Sequence, residues 1–134
     1  MTTAQTKDQM LRNAAEIVRL HKRIHETVKV RGKSEAGRIA WQNACAEFHA
    51  RYSQLAFPGG YGEALEKFRS GDTSVVEPAL CFLEFRPYFF RSGYMFNTLL
   101  RRMKHIPLTL QQTKRLDAVR ERQAAWKALK AQQQ

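Results

Sequence analysis

Two long amphipathic stretches joined by a few residues around Gly32 leave this chain few folds to choose from. From about Lys7 to Val30 the apolar positions Met10, Ala14, Ile17, Ile24 and Val28 alternate spacings of four and three, with His21 filling the missing step. That recurrence is one stripe of an α-helix. Leu11 and Val18 widen the stripe, whereas Arg12, Arg19, Lys22, Arg23 and Lys29 fall on other faces. From about Glu35 to Leu55 the same rule returns in Trp41, Cys45, Phe48, Tyr52 and Leu55. Gly32 ends the first helix and Ser34 caps the second. A connection this short folds the helices back on each other, so the chain is expected to begin as an antiparallel hairpin. Ile17, Ile24 and Val28 should then pack against Trp41, Phe48 and Tyr52.

Beyond the hairpin, proline and glycine divide the chain. Phe57-Pro58-Gly59-Gly60-Tyr61-Gly62 is a break that no helix crosses, because proline lacks a donor and the glycines favour turns. A short helix over Glu63 to Arg69 follows, stopped by Ser70-Gly71-Asp72. Asp72 or Ser74 caps the fourth helix, with Pro78 tolerated in its first turn. Ala79 to Leu83 are apolar on every side, which predicts a central, buried helix. Arg86 precedes Pro87, which biases it toward extended geometry and ends this helix near Phe85. Ser92 is the expected cap of a fifth helix from Gly93 to about His105. Its apolar face is Phe96, Leu99, Leu100 and Met103, with Tyr94, Asn97, Arg101 and Lys104 roughly opposite. After Pro107, Thr109 and Gln112 match the capping-box pattern of a sixth helix from Leu110 to about Lys130, with a stripe of Leu116, Val119, Trp126 and Leu129.

The expected fold is therefore all-α, a compact bundle of five or six helices built on the N-terminal antiparallel helical hairpin. The 134 residues suit one domain, with polar frayed ends at about 1–6 and 131–134. No apolar run reaches the ~18 residues of a membrane span, and the start has no signal-peptide core, so a cytoplasmic location is the default expectation. Cys45 and Cys81 sit among apolar neighbours without a Cys-x-x-Cys spacing and read as reduced thiols.

Charge is the strongest pointer to function, with 23 Lys and Arg against 12 Asp and Glu. Residues 55–83 are the acidic exception, with two basic against four acidic side chains. Residues 84–106 carry five basic against one acidic, and residues 107–134 six against two. Such a balance favours polyanionic partners. The stretch from Phe82 to Phe96 also holds seven of the fourteen aromatic residues. Aromatic faces stack on bases and arginines pair with phosphates, so Tyr88, Phe90, Arg91 and Tyr94 beside Arg101, Arg102 and Lys104 have the composition of a nucleic-acid surface. Rings at this density also build cores, and arginines also lie over rings.

Other constellations are weaker. His21 with His25, and Cys45 with His49, have the i, i+4 spacing of metal ligands, but a hairpin folded at Gly32 leaves the two pairs out of step, and no metal is expected. Gly93 between two helices suggests helix-turn-helix, but the Arg86 to Ser92 connector exceeds the usual turn of ~3–4 residues. Glu84 near Arg86 and Arg91 reads as an ion pair. The glycine-rich segment lacks a P-loop ending. No nucleophile with a base or paired acids points to a reaction or a cofactor. The expectation is a non-catalytic polyanion-binding protein, with nucleic acid as the first candidate partner and an acidic protein as the alternative. The candidate binding residues are Arg19, Lys22, Arg23, Arg91, Tyr94, Asn97, Arg101, Arg102 and Lys104.

Overall fold

A computed structural model describes residues 1–133. Among them six α-helices are joined by turns, with no strand: α1 Thr3–Val28, α2 Glu35–Ala56, α3 Tyr61–Ser70, α4 Val76–Phe85, α5 Ser92–Arg102 and α6 Leu110–Gln132. Single 3-10 turns, Thr73–Val75 and Met103–His105, lead into α4 and out of α5.

The α1–α2 hairpin is the most extensive helix pair, as its periodicity predicts. Its start is sharper than expected. The Thr2 hydroxyl accepts from the Gln5 amide while the Gln5 side chain accepts from the Thr2 amide, a capping box that carries α1 back to Thr3. Ser34 caps α2 as expected, accepting from the Gly37 N–H at 3.0 Å. Gly37 is a second requirement of this corner, since a Cβ there would lie 2.2 Å from the Val30 carbonyl oxygen. The packing is weighted toward the open end of the hairpin. Met10, Ala14, Ile17, Leu20, Ala44, Phe48 and Ala56 are buried. Ile24, Val28 and Trp41, nearer the turn, are only partly covered, and the Trp41 ring carries the Arg31 guanidinium 4.9 Å from its centroid.

The reason for that weighting is α4, which lies at the centre and contacts α1, α5 and α6. Val76, Ala79, Leu80, Cys81, Phe82 and Leu83 are all buried, as an all-round apolar helix requires. Each large side chain among them contributes about 1.5–3 kcal/mol of burial. Cys81 and Cys45 are free thiols. Pro78 sits in the first turn of α4, and Asp72 caps the preceding 3-10 turn by accepting from the Ser74 N–H at 2.9 Å.

The connector between α4 and α5 departs from the expected backbone. Arg86 is left-handed (φ 51°, ψ 59°) rather than extended, and its N–H donates to the Phe82 carbonyl at 2.9 Å to close α4. The proline still excludes the right-handed helical region at Arg86, so α4 ends where expected by a different geometry. Ser92 is the first residue of α5 rather than its cap. The N-cap position belongs to Arg91, also left-handed at φ 67°. Ser92 is buried and its hydroxyl accepts from the Phe89 N–H at 3.1 Å, folding the connector onto α5. Two non-glycine residues in this region each cost on the order of 1 kcal/mol, and they bracket Pro87 to Phe90.

Glu84 does not pair with Arg86 or Arg91. It accepts from Arg115 of α6 at 2.6 and 3.2 Å, and Arg115 also reaches Glu77 at 2.6 Å. This clamp, with Leu116 and Val119, docks the first half of α6 onto α4. The Thr109–Gln112 capping box forms as predicted. The expected stripe does not continue: Trp126 is 50% and Leu129 56% exposed, because α6, about 35 Å long, outruns α4 at about 15 Å. The expectation for residues 131–134 extends to Gln134, which lies outside the described residues.

Candidate nucleic-acid interface

The exposed side of α5 meets α6 along an open groove of ≈ 510 Å³. Tyr94, Asn97 and Arg101 line it from α5, and Lys104 from the 3-10 turn that extends it. Their placement follows from the helix period, because burying Met95, Phe96, Leu99, Leu100 and Met103 against the core turns the intervening positions outward. The opposite wall comes from Arg120, Gln123 and Lys127 of α6, spaced three and four apart on one face. Among the described residues no carboxylate lines the groove.

Four cations thus face one channel: Arg101, Lys104, Arg120 and Lys127. Among the described residues none of them has a carboxylate within 4.0 Å. Arg101 donates to the Thr98 hydroxyl at 3.5 Å and Arg120 to the Leu100 carbonyl at 3.4 Å, long contacts to neutral acceptors that leave their charge uncompensated. Like charges held together in one groove raise the local potential for anions above that of scattered surface charges.

The groove continues past Tyr94 and Asn97 to the α4–α5 connector, where Arg91 and Tyr88 flank the same two residues. Arg91 also places its guanidinium 5.3 Å from the Phe90 ring centroid. The exposed rings of the protein gather on this side. Tyr88 is 86% and Tyr94 75% exposed, and Trp126 stands beside Lys127. Phe90 is pinned differently, with its ring 4.5 Å from that of His21 and its carbonyl accepting from the Tyr52 hydroxyl at 2.6 Å. Burial, with the neighbouring charge of His25 adding to it, pushes His21 below its ordinary pKa, which suits a neutral ring stacked on Phe90.

The structure therefore brings Arg91, Tyr94, Asn97, Arg101 and Lys104 onto one continuous surface. Arg102 is half-buried and does not line the groove. Arg19, Lys22 and Arg23 stand apart on α1, outside the groove lining, and each has an acidic partner. Arg19 donates to Glu16 at 2.5 and 3.0 Å, and Arg23 to Glu47 at 2.6 Å, while Lys22 lies 4.0 Å from Glu26. Arg51 bridges Glu16 and Glu47 at 2.9 and 3.3 Å, so Arg19, Arg23 and Arg51 belong to one ion-pair network across α1 and α2. The Arg19 hydrogen bonds, with Arg51 adding to them against partial burial, hold the Glu16 carboxyl at about 2, below its ordinary 4.5.

Arg120 and Lys127 belong to the basic face of the last helix but not to the candidate set read from the sequence, and Gln123, Arg86 and Trp126 beside them carried no signal of their own. The three-four spacing through Gln123 that sets Arg120 and Lys127 on one face of α6 was the available signal. His21 and His25 pack edge to face, with ring centroids 4.6 Å apart. Among the described residues there is no cluster of three or more His, Cys, Asp or Glu that could hold a metal ion. Nor is any helix among them long and apolar enough to cross a membrane. No protein-family model, curated protein or solved structure matches the chain.

Proposed function

We propose that this chain is a non-catalytic nucleic-acid-binding protein that holds a phosphate backbone in the α5–α6 groove. The observation that carries the proposal is the acid-free channel with Arg101, Lys104, Arg120 and Lys127 facing it, next to Arg91. Arginine and lysine at this density neutralise successive phosphates, and the exposed tyrosines alongside supply the ring faces that nucleic acids use. An acidic protein is the second reading, favoured by Leu129 and Trp126 standing exposed on the projecting end of α6, where a partner would cover them.

The two readings separate in one titration. Fluorescent oligonucleotides and poly-glutamate are added to the protein at two salt concentrations. Nucleic-acid binding predicts tight, salt-dependent capture of the oligonucleotide, weakened at least ten-fold by the paired change Arg101→Glu and Arg120→Glu, with the helical signal retained. Absence of oligonucleotide binding at low salt contradicts it. Equal or tighter binding of poly-glutamate transfers the groove to an acidic protein.

A further inference from the structure

Beside the groove, on the other flank of α5, lies a second cavity of ≈ 400 Å³ with a different lining. Phe82, 1% exposed, forms its floor, and Pro87, Phe96, Tyr88 and Trp126 form its walls. Its size falls within the range of small-ligand sites. Arg86 spans it, with the guanidinium carbon 4.2 Å from the Phe96 ring centroid and 5.7 Å from that of Trp126. The left-handed turn at Arg86 closes α4 at the edge of this cavity, and the chain then enters its wall at Pro87.

We infer that this cavity receives an unpaired base, and that the nucleic acid the protein recognises is single-stranded. The inference rests on the phosphate-binding reading of the α5–α6 groove and adds the class of strand. Its first support is continuity. The cavity shares Tyr88, Ser92 and Gly93 with the depression around Arg91, which shares Tyr94 and Asn97 with the cationic groove. A strand whose phosphates follow the cations can thus reach the cavity with a base without leaving the surface. The second support is chemistry. Among the lining rings the exposed Tyr88 and Trp126 present faces that take the face of a base, and a base offers its face only when it is unstacked from its neighbours. In a duplex those faces are covered by adjacent pairs. Arg86 lies over the buried Phe96 ring, so the base would meet its guanidinium as a planar cation in place of that ring. Lys130, 4.9 Å from the Trp126 centroid, supplies a further positive charge at the rim.

Gly93 gives a clean test. It lines the cavity near the start of α5, and a Cβ there meets nothing within 4 Å. A leucine at this position therefore enters free space beside the rings and suits a helix better than glycine. In the full chain carrying Trp41→Phe, Trp126 is the remaining tryptophan and its emission reports on the cavity. The probes are an oligothymidylate, a duplex of the same length and inorganic polyphosphate. The expected result is quenching of Trp126 by the oligothymidylate and not by the other two. Gly93→Leu should lower oligothymidylate affinity about ten-fold, the scale of losing one stacked base, and polyphosphate affinity by clearly less, with stability maintained. Oligothymidylate binding that leaves Trp126 emission unchanged, or that survives Gly93→Leu intact, overturns this inference while the groove reading stands. Failure of every oligonucleotide to bind at low salt overturns both.

Discussion

Glu16 shows how a single residue divides the basic surface of this protein into a committed part and an available part. Its carboxylate holds Arg19 from its own helix and Arg51 from α2, and Arg51 links it to Glu47 and so to Arg23. Arg19, Arg23 and Arg51 are thereby held by neighbouring carboxylates, whereas Arg101 and Arg120 meet neutral oxygens. Because Glu16 is held at about 2 when folded, against 4.5 unpaired, the unfolded chain binds its proton first as the pH falls. Its contribution to stability is complete above about 4.5 and is lost as the pH drops toward about 2. Glu16→Gln is therefore expected to unfold more readily than the parent at neutral pH. The difference in denaturant midpoint should shrink through that acid window, and a gap that stays constant down to its lower end contradicts the pairing. Lys22 with Glu26 is readable from its spacing alone. The pairs of Arg23 and Arg51 with acids on the neighbouring helix are not, because they join positions 24 and 35 residues apart.

Among the elements, α6 depends on its partners most unevenly. Leu116 and Val119 are its buried residues, and from Glu121 onward only Gln123 is partly covered among the described residues. Arg115 therefore matters more than one ion pair usually would. It is 24% exposed, it holds Glu84 and Glu77 of α4 together, and both carboxylates raise its pKa above the ordinary arginine value. Arg115→Ala should destabilise the protein by about 1–3 kcal/mol, the range for hydrogen bonds to charged groups lost at a partly covered site. Hydrogen exchange should quicken along α6 before α4. Lys114→Ala, one residue away and exposed, is expected to stay within about 0.5 kcal/mol. Uniform exchange along both helices in Arg115→Ala would show that α6 does not rely on the clamp.

Helix existence and register were legible because this chain punctuates itself. Ser34, Thr109 with Gln112, Gly71 and Pro107 all mark helix ends at or next to the positions their chemistry implies. Thr2 with Gln5 carries the same capping signal as Thr109 with Gln112, in a segment whose polarity suggested fraying. The left-handed backbone at Arg86 and Arg91 left no such trace, since nothing in an arginine favours it. Packing of Pro87 and Phe89 into the core imposes that geometry from outside the segment. The apolar stripe of α6 misled for a related reason: Trp126 and Leu129 keep the period, but both are exposed, and Trp126 meets the rest of the fold only at the edge of the cavity over Phe82 and Phe96.

At the scale of the whole molecule the cations differ by side in how they are paired. Residues 1–54 carry ten basic against five acidic side chains, with Arg23 and Arg51 paired across the hairpin, while residues 84–106 and 107–134 carry five against one and six against two, and four of those cations line one groove. Sequence alone found the α5 half of that groove, because one helix face can be read from its period. The α6 half required knowing which face of α6 borders the α5 groove, a fact of tertiary packing. The same packing removes Arg19, Lys22 and Arg23 from the lining and leaves Arg102 half-buried.

The central claim, that the groove cations contact successive phosphates, is tested most directly by the dependence of oligonucleotide affinity on salt. Four groove cations acting on duplex DNA predict a slope of log affinity against log salt of about −3.6, and a shallower one of about −2.8 on single strands. Removing one cation by Lys104→Ala or Lys127→Ala should flatten each slope by somewhat less than 1 while the folding midpoint stays unchanged, and Lys22→Ala on α1 should leave it unaltered. A slope that survives both groove substitutions, or one that Lys22→Ala flattens equally, contradicts the account.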